Sequence, residues 1–189
     1  MTAPTSESTT SVTTWTLDPT HTSIEFSAKH MMITTVKGRF GGASGTIAID
    51  EAHPERSTAE IEIHTPTIDT RAEQRDQHLR SADFLDVENY PTLTFRSRRI
   101  EGAKATQGTR FRVTGDLTIR GVTREVTLDT TYEGRGRDPW GGERVSFSAT
   151  TRIDRRDFGL TWNAALEAGG VLVSNEIRID IEAQAIRSA

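Results

Sequence analysis

Apolar and polar residues alternate with a period of two along most of this chain, the signature of half-buried β-strands. Ile24, Phe26 and Ala28 share one side of a stretch whose other side carries Ser23, Glu25, Ser27 and Lys29. Ile47 and Ile49 pair in the same way, and Ala59, Ile61 and Ile63 oppose Glu60, Glu62 and His64. Leu93 and Phe95 then oppose Thr94, Arg96 and Arg98, while Phe111, Val113, Leu117 and Ile119 oppose Arg110, Arg112, Asp116 and Thr118. Val122, Val126 and Leu128, then Val145, Phe147, Ala149 and Ile153, and finally the alternating Ile177–Ala185 series repeat the pattern to the end. Arg120-Gly121 predicts a tight hairpin turn; Gly134–Gly142 predicts a longer one, and His53–Arg56 and Glu101–Gly108 predict loops.

About eight long strands, each with one apolar and one charged face, predict an all-β, antiparallel barrel rather than a covered sandwich. Charged outer faces leave no surface for a second layer, and closure removes the free edges that long strands expose. A barrel of this size has just enough interior for its own side chains or for one small ligand.

One segment breaks the period. Thr70-x-x-Glu73 fits a capping box, and the helix formers through Arg80 contain no Gly or Pro. Its only apolar positions are Ala72 and Leu79, a stripe too narrow for a bundle. The expectation is one helix crossing the barrel, with Ser81-Ala-Asp-Phe84 capping a second short unit and Phe84, Leu85 and Val87 packing after it. Pro91 pushes Tyr90 out of the α region, and strand resumes at Thr92.

Composition narrows the function classes. The chain has 189 residues and a net charge of −4 from 23 Lys plus Arg against 27 Asp plus Glu, with no Cys. That is the size of one domain, without thiolate chemistry and without the basic footprint that nucleic acid requires. No run is apolar enough for a transmembrane helix. Residues 1–13 read as a disordered Ser/Thr-rich leader without signal-peptide features, so the expectation is a cytoplasmic protein whose barrel occupies residues 14–189.

Candidate chemistry is sparse. Five His are present, with no HExxH or other close metal-ligand spacing, so no metal is expected. Asp76 and His78 lie two apart on the helix and point to different sides, which disfavours a dyad; an Arg75 or Asp76 contact pinning the helix to the rim is the plainer reading. No G-x-S-x-G elbow is present, and no catalytic residue is assigned. Met31-Met32-Ile33 is too dense for alternation and suits either core filling or a greasy ligand surface. In Asp154–Asn163, Phe158, Leu160 and Trp162 alternate and predict a plug or a rim, with Asn163–Ala168 as a short helix.

Several strings are in register with a known family. Arg75-Asp-Gln-His-Leu, Ser81-Ala-Asp-Phe and Tyr90-Pro-Thr-Leu-Thr-Phe resemble the signature of the YceI family, the lipocalin-like polyisoprenoid-binding proteins of bacteria. Asp18-Pro-Thr-His-Thr-Ser-Ile-Glu-Phe, Val36-Lys-Gly-Arg-Phe, the Thr114–Leu128 hairpin and Asp154-Arg-Arg-Asp-Phe-Gly-Leu-Thr-Trp resemble its other segments, so the likeness runs from Trp15 to Ile186. The resemblance implies an eight-stranded, lipocalin-like barrel that is hollow and carries or sequesters a long isoprenoid-type lipid, such as a polyprenyl phosphate or a quinone tail, with no reaction and no cofactor. The candidates for lining its tail are Ile24, Phe26, Met31, Ile33, Ile61, Ile63, Phe84, Phe95, Leu117, Val126, Phe147, Phe158 and Trp162. His30, Arg75, His78 and Arg155 are the candidates for the head group. The resemblance allows a homodimer. The competing readings are an enzyme acting on a lipid or quinone and a stress-linked interaction module.

Overall fold

A computed structural model describes residues 12–188. Eleven strands and one helix follow in order: β1 (Val12–Leu17), β2 (Ser23–His30), β3 (Thr34–Phe40), β4 (Ala43–Asp50), β5 (Thr58–His64), β6 (Ile68–Asp69), α1 (Glu73–Arg80), β7 (Thr92–Glu101), β8 (Arg110–Ile119), β9 (Val122–Arg137), β10 (Glu143–Asp154) and β11 (Glu176–Arg187). They form one sheet in which β1, β4, β5, β7, β8, β9, β10 and β11 pair in turn, and β11 returns to β1. Every pairing is antiparallel, so the result is a closed eight-strand barrel. The leader expected over residues 1–13 lies outside the described residues except for Val12 and Thr13, which open β1.

Three walls of the barrel are each made in two pieces. β1 and β2 both lie along β11, β3 continues the line of β4, and β6 that of β5. The first break falls at Asp18–Thr22, where Pro19 cannot donate to a ladder and a short 3₁₀ turn intervenes. The ladder is kept across it: the Asp18 N–H donates to the Gln184 carbonyl, and the Gln184 N–H donates to the Thr22 hydroxyl. The second break is at Gly41-Gly42, and the third is the turn Thr65–Thr67.

Alternation places the apolar faces inside, as the sequence predicts. Ile61 stands opposite Phe95, which stands opposite Leu117. Glycine makes room where rings lie flat on the wall: a Cβ on Gly115 would sit 2.4 Å from the Arg96 carbonyl oxygen and 2.7 Å from Phe95, and one on Gly38 2.3 Å from the Phe26 ring. Register shifts in the β7–β8 and β9–β10 pairings bend the walls. Arg120-Gly121 turns with both φ positive, as expected of the tight hairpin. The expected long turn over Gly134–Gly142 is instead strand to Arg137, followed by a turn that Asp138 closes by accepting from the Trp140 and Gly142 N–H groups.

The buried apolar residues fall into two clusters, a large one that runs along the walls to the α1 end and a small one at the other end. One holds Ile63, Ile68, Phe84, Leu85, Phe158 and Leu160 on the α1 side; the other is Trp15, Val145 and Ala185. Arg135 stacks its guanidinium 4.8 Å over Trp15 while bonding Glu51 at 2.9 Å, so the second end is sealed by a cation on an aromatic face.

Asp18 ties the first break together. Its buried carboxylate accepts from the Thr20 N–H and hydroxyl, from His21 Nδ1 and from Arg144 Nη1 at 2.6–3.0 Å. The Thr20 hydroxyl bond is the foremost cause that holds its pKa well below the usual carboxylate range, against the opposing pull of burial. A carboxyl depressed in the folded state stabilises the fold above its unfolded value, near 3.8, and that contribution drains away as pH falls below it. Asp18→Asn should therefore cost about 2–3 kcal/mol near neutral pH and show a shallower stability loss between pH 5 and 2 than the wild type, as read from urea unfolding across that range.

Candidate functional site

The barrel interior is not filled. A cavity of about 750 Å³ runs through it, bounded by residues from every wall. Its size lies within the range of small-molecule sites. Ile24, Phe26, Ile61, Ile63, Phe84, Phe95, Leu117, Val126, Phe147, Phe158 and Trp162 all line it, so eleven of the predicted tail residues face one space. Met31 and Ile33 do not. β2 ends at His30, and Met31 and Met32 take left-handed φ values of 51° and 63°, which turn the chain into β3. The apolar run is thus a hairpin tip in water, not lining: Ile33 is 77% exposed, Met32 56% and Met31 43%.

α1 stands where the wall is open. β6 pairs with β3 but with no second strand among the described residues, whereas β5 pairs with β7. The helix and the turns that follow it cover the opening. The expected capping box does not form: the N-cap is Ala72, without a side-chain bond, because Arg71 at φ 61° bends the chain before the helix starts. Thr70 serves the helix in reverse. Its N–H and hydroxyl both donate to Asp76, which is 4% exposed, and its own carbonyl and hydroxyl accept from Arg75. Arg80 reaches back to the Pro66 and Ile68 carbonyls. Asp76 and Arg75 therefore pin α1 to β6. Ser81 closes the helix by donating to the His78 carbonyl rather than opening a second one. Phe84, Leu85 and Val87 are buried as expected, and Arg120 holds the Phe84 carbonyl from the β8–β9 hairpin.

The four predicted head-group residues gather at this end of the cavity, and all four line it. Two are committed to the protein. Both of Arg75's bonds go to Thr70. Arg155 is 4% exposed and donates to the Ser174, Leu160 and Trp162 carbonyls and, at 3.4 Å, to Asn175. Burial presses its pKa down, the neighbouring Asp154 charge pulls the other way, and no carboxylate salt-bridges it among the described residues. His78 bonds Asp83 at 2.8 Å and packs edge-on against Trp162 and Phe84, with ring centroids at 4.6 and 5.1 Å. His30 makes no side-chain hydrogen bond among the described residues and bridges Val173 through its backbone.

The segment after β10 is a plug with a rim. Asp154 caps the 3₁₀ turn Arg155–Phe158, and Gly159 at φ 76° ends it. Asp154's hydrogen bonds from Arg156 lower its pKa to about 2. Phe158 is fully buried and Leu160 nearly so. The short helix expected over Asn163–Ala168 is absent; Ala165 bridges Val171 across the Gly169-Gly170 turn, and Asn163 pins that turn through both main-chain groups of Val173. No trio of His, Asp or Glu among the described residues is placed to hold a metal ion, and no helix is long and apolar enough to cross a membrane. Ile47, Leu128, Ala149, Ile179 and Ala183 also line the cavity; the alternation itself places them there.

Comparisons with known proteins agree with this geometry. A family model described as a YceI-like domain matches residues 15–185. A UPF0312 protein of Pseudomonas putida is 35% identical over 167 residues, covering 88% of this chain and 82% of the relative. The crystal structure of a Campylobacter jejuni YCEI protein superposes with a TM-score of 0.71 at 30% identity, over 85% of this chain and 90% of that one. A polyisoprenoid binding domain from Saccharophagus degradans, implicated in plant cell wall breakdown, superposes with a TM-score of 0.69 at 15% identity, over 92% and 98%; at that identity it speaks for the fold alone.

The Thr70–Asp76 pair predicts a local effect. Asp76→Ala strands two buried donors and should cost about 2 kcal/mol. Hydrogen exchange should rise across Glu73–Arg80 while the β7–β8 ladder stays protected; equal protection in variant and wild type would remove the pinning role.

Proposed function

The chain belongs to the YceI-like family, and we propose that its barrel binds a long isoprenoid-type amphiphile, a polyprenyl phosphate or a quinone tail, for carriage or sequestration. The single observation behind this reading is the continuous apolar cavity of about 750 Å³, which the alternating strands line from wall to wall. Removing apolar surface from water is worth about 25 cal/mol per Å², so a hydrocarbon chain gains affinity there without polar contacts. The tail would lie among Ile24, Phe26, Ile61, Phe95, Val126 and Phe147. The head would sit at the α1 end, near His30 and His78 and beside the buried guanidinium of Arg155.

Binding rather than turnover is favoured by the lining. Neither lining histidine, His30 or His78, bonds a carboxylate that also lines the cavity, since His78 turns to Asp83 outside it.

Ile61 on β5 and Ala149 on β10 lie four strands apart in the eight-strand circuit, hence on opposite walls. Ile61→Trp and Ala149→Trp should each weaken binding of geranylgeranyl phosphate by about tenfold or more as bulk fills the space, with circular dichroism unchanged. Native mass spectrometry should also find a hydrophobic molecule on the purified wild type and less on the variants. Saturable binding that both variants retain in full would place the guest elsewhere.

A further inference from the structure

The tip of the β2–β3 hairpin carries a feature that binding a guest does not explain. Met31, Met32 and Ile33 stand in water at 43%, 56% and 77% exposure, and the first two hold a left-handed backbone that residues with a Cβ seldom adopt. Exposed apolar bulk and backbone strain both work against folding, and such features persist where they serve a function.

The sequence around the tip carries charges of one sign. Residues 26–49 contain Lys29, Lys37 and Arg39 and not one Asp or Glu, in a chain whose net charge is −4. The protein has three lysines, and two of them flank this tip. Arg39 is paired with Asp69, and Lys37 lies within electrostatic reach of Asp180 on β11, but neither Lys29 nor Lys37 forms a salt bridge among the described residues; Lys29 reaches only the Thr35 hydroxyl. The neighbouring turn, residues 159–175, adds a single acid, Glu167. The tip is also continuous with the cavity. The Met31 N–H donates to the Leu172 carbonyl, His30 bridges Val173, and His30, Leu172 and Val173 all line the cavity.

We propose that this hairpin tip docks the protein on an anionic lipid bilayer. Met31, Met32 and Ile33 enter the boundary between head groups and acyl chains, and Lys29 and Lys37 meet the lipid phosphates. Apolar insertion combined with a few basic side chains is the physical recipe for reversible attachment to an anionic surface. Docked in this way, the rim of the cavity faces the hydrocarbon, so a lipid would move between membrane and barrel without crossing water. The docking goes beyond the guest-binding reading and takes from it only the position of the mouth.

The test is co-sedimentation of delipidated protein with vesicles of equal parts phosphatidylglycerol and phosphatidylcholine, against vesicles of phosphatidylcholine alone. The wild type should bind the anionic vesicles, and binding should fall with added salt. Met32→Asp combined with Ile33→Asp, both exposed and outside the cavity, should reduce binding by about tenfold or more. Lys29→Glu combined with Lys37→Glu should abolish the preference for phosphatidylglycerol. Trp140→Ser, at 87% exposure on the turn that begins the opposite end of β10, should bind as the wild type does. Ile61→Trp should dock normally even where it takes up no guest, which separates the failure of docking from the failure of guest binding. Wild type that stays in solution with anionic vesicles, or tip and lysine variants that sediment as before, would overturn the proposal. So would light scattering that shows a dimer lost in the Asp variant, which would assign the tip to a second copy of the chain.

Discussion

Every backbone group on eight long strands needs a partner, and only closure of the sheet on itself supplies one to each. The closing contact is narrow: Trp15, Thr16 and Leu17 meet Arg187, Ile186 and Ala185. Beyond it the first wall is broken by Pro19, and the ladder survives because Asp18 and Thr22 keep Gln184 satisfied from both sides of the break. The buried Asp18 carboxylate, held by Thr20, His21 and Arg144, fixes the geometry of that break. Closure in turn forces one face of every strand inward, and the lengths of those inward side chains decide whether the middle is full or empty.

They leave it empty for a reason visible in the residues. The inward positions of β10 and β11 include Ala149, Ala183 and Ala185, and those of β3 and β8 include Gly38 and Gly115. Large rings on neighbouring walls, Phe26 and Phe95, lie flat over these glycines instead of spanning the interior. The bulk that does reach across is confined to the ends, where Trp15 and Phe158 are buried completely. A hollow centre between two plugs is the result, with apolar surface facing a space that an apolar guest can occupy.

The walls were legible in the sequence because a period of two is a property of each strand by itself. Of the thirteen positions expected to face a tail, eleven line the cavity, and the eight on strands do so for that reason; Phe84, Phe158 and Trp162 lie outside the strands. Met31 and Ile33 failed because a dense apolar run carries no period, and only the left-handed turn at Met31-Met32 shows which way it points. The capping box at Thr70 failed because Arg71 bends the chain, a tertiary choice that spacing does not encode. Arg75 makes the helix-pinning contact that the sequence reading offered, whereas the role of Arg155 was hidden. Arg155 lines the cavity, but its donors go to main-chain carbonyls that only the fold brings near.

The closing contact also has a temporal side. Its partners come from the first and the last described strands, Thr16 with Ile186. A chain made from its N-terminus holds β1 ready long before β11 exists. Hairpins such as β8–β9 can form early, since their partners are close along the chain, whereas the seam waits until β11 has been made. Folds dominated by such distant pairings form slowly, and during the wait an apolar edge stays open to aggregation. The residues of the seam therefore govern when the protein becomes safe from misassembly as well as how stable it finally is.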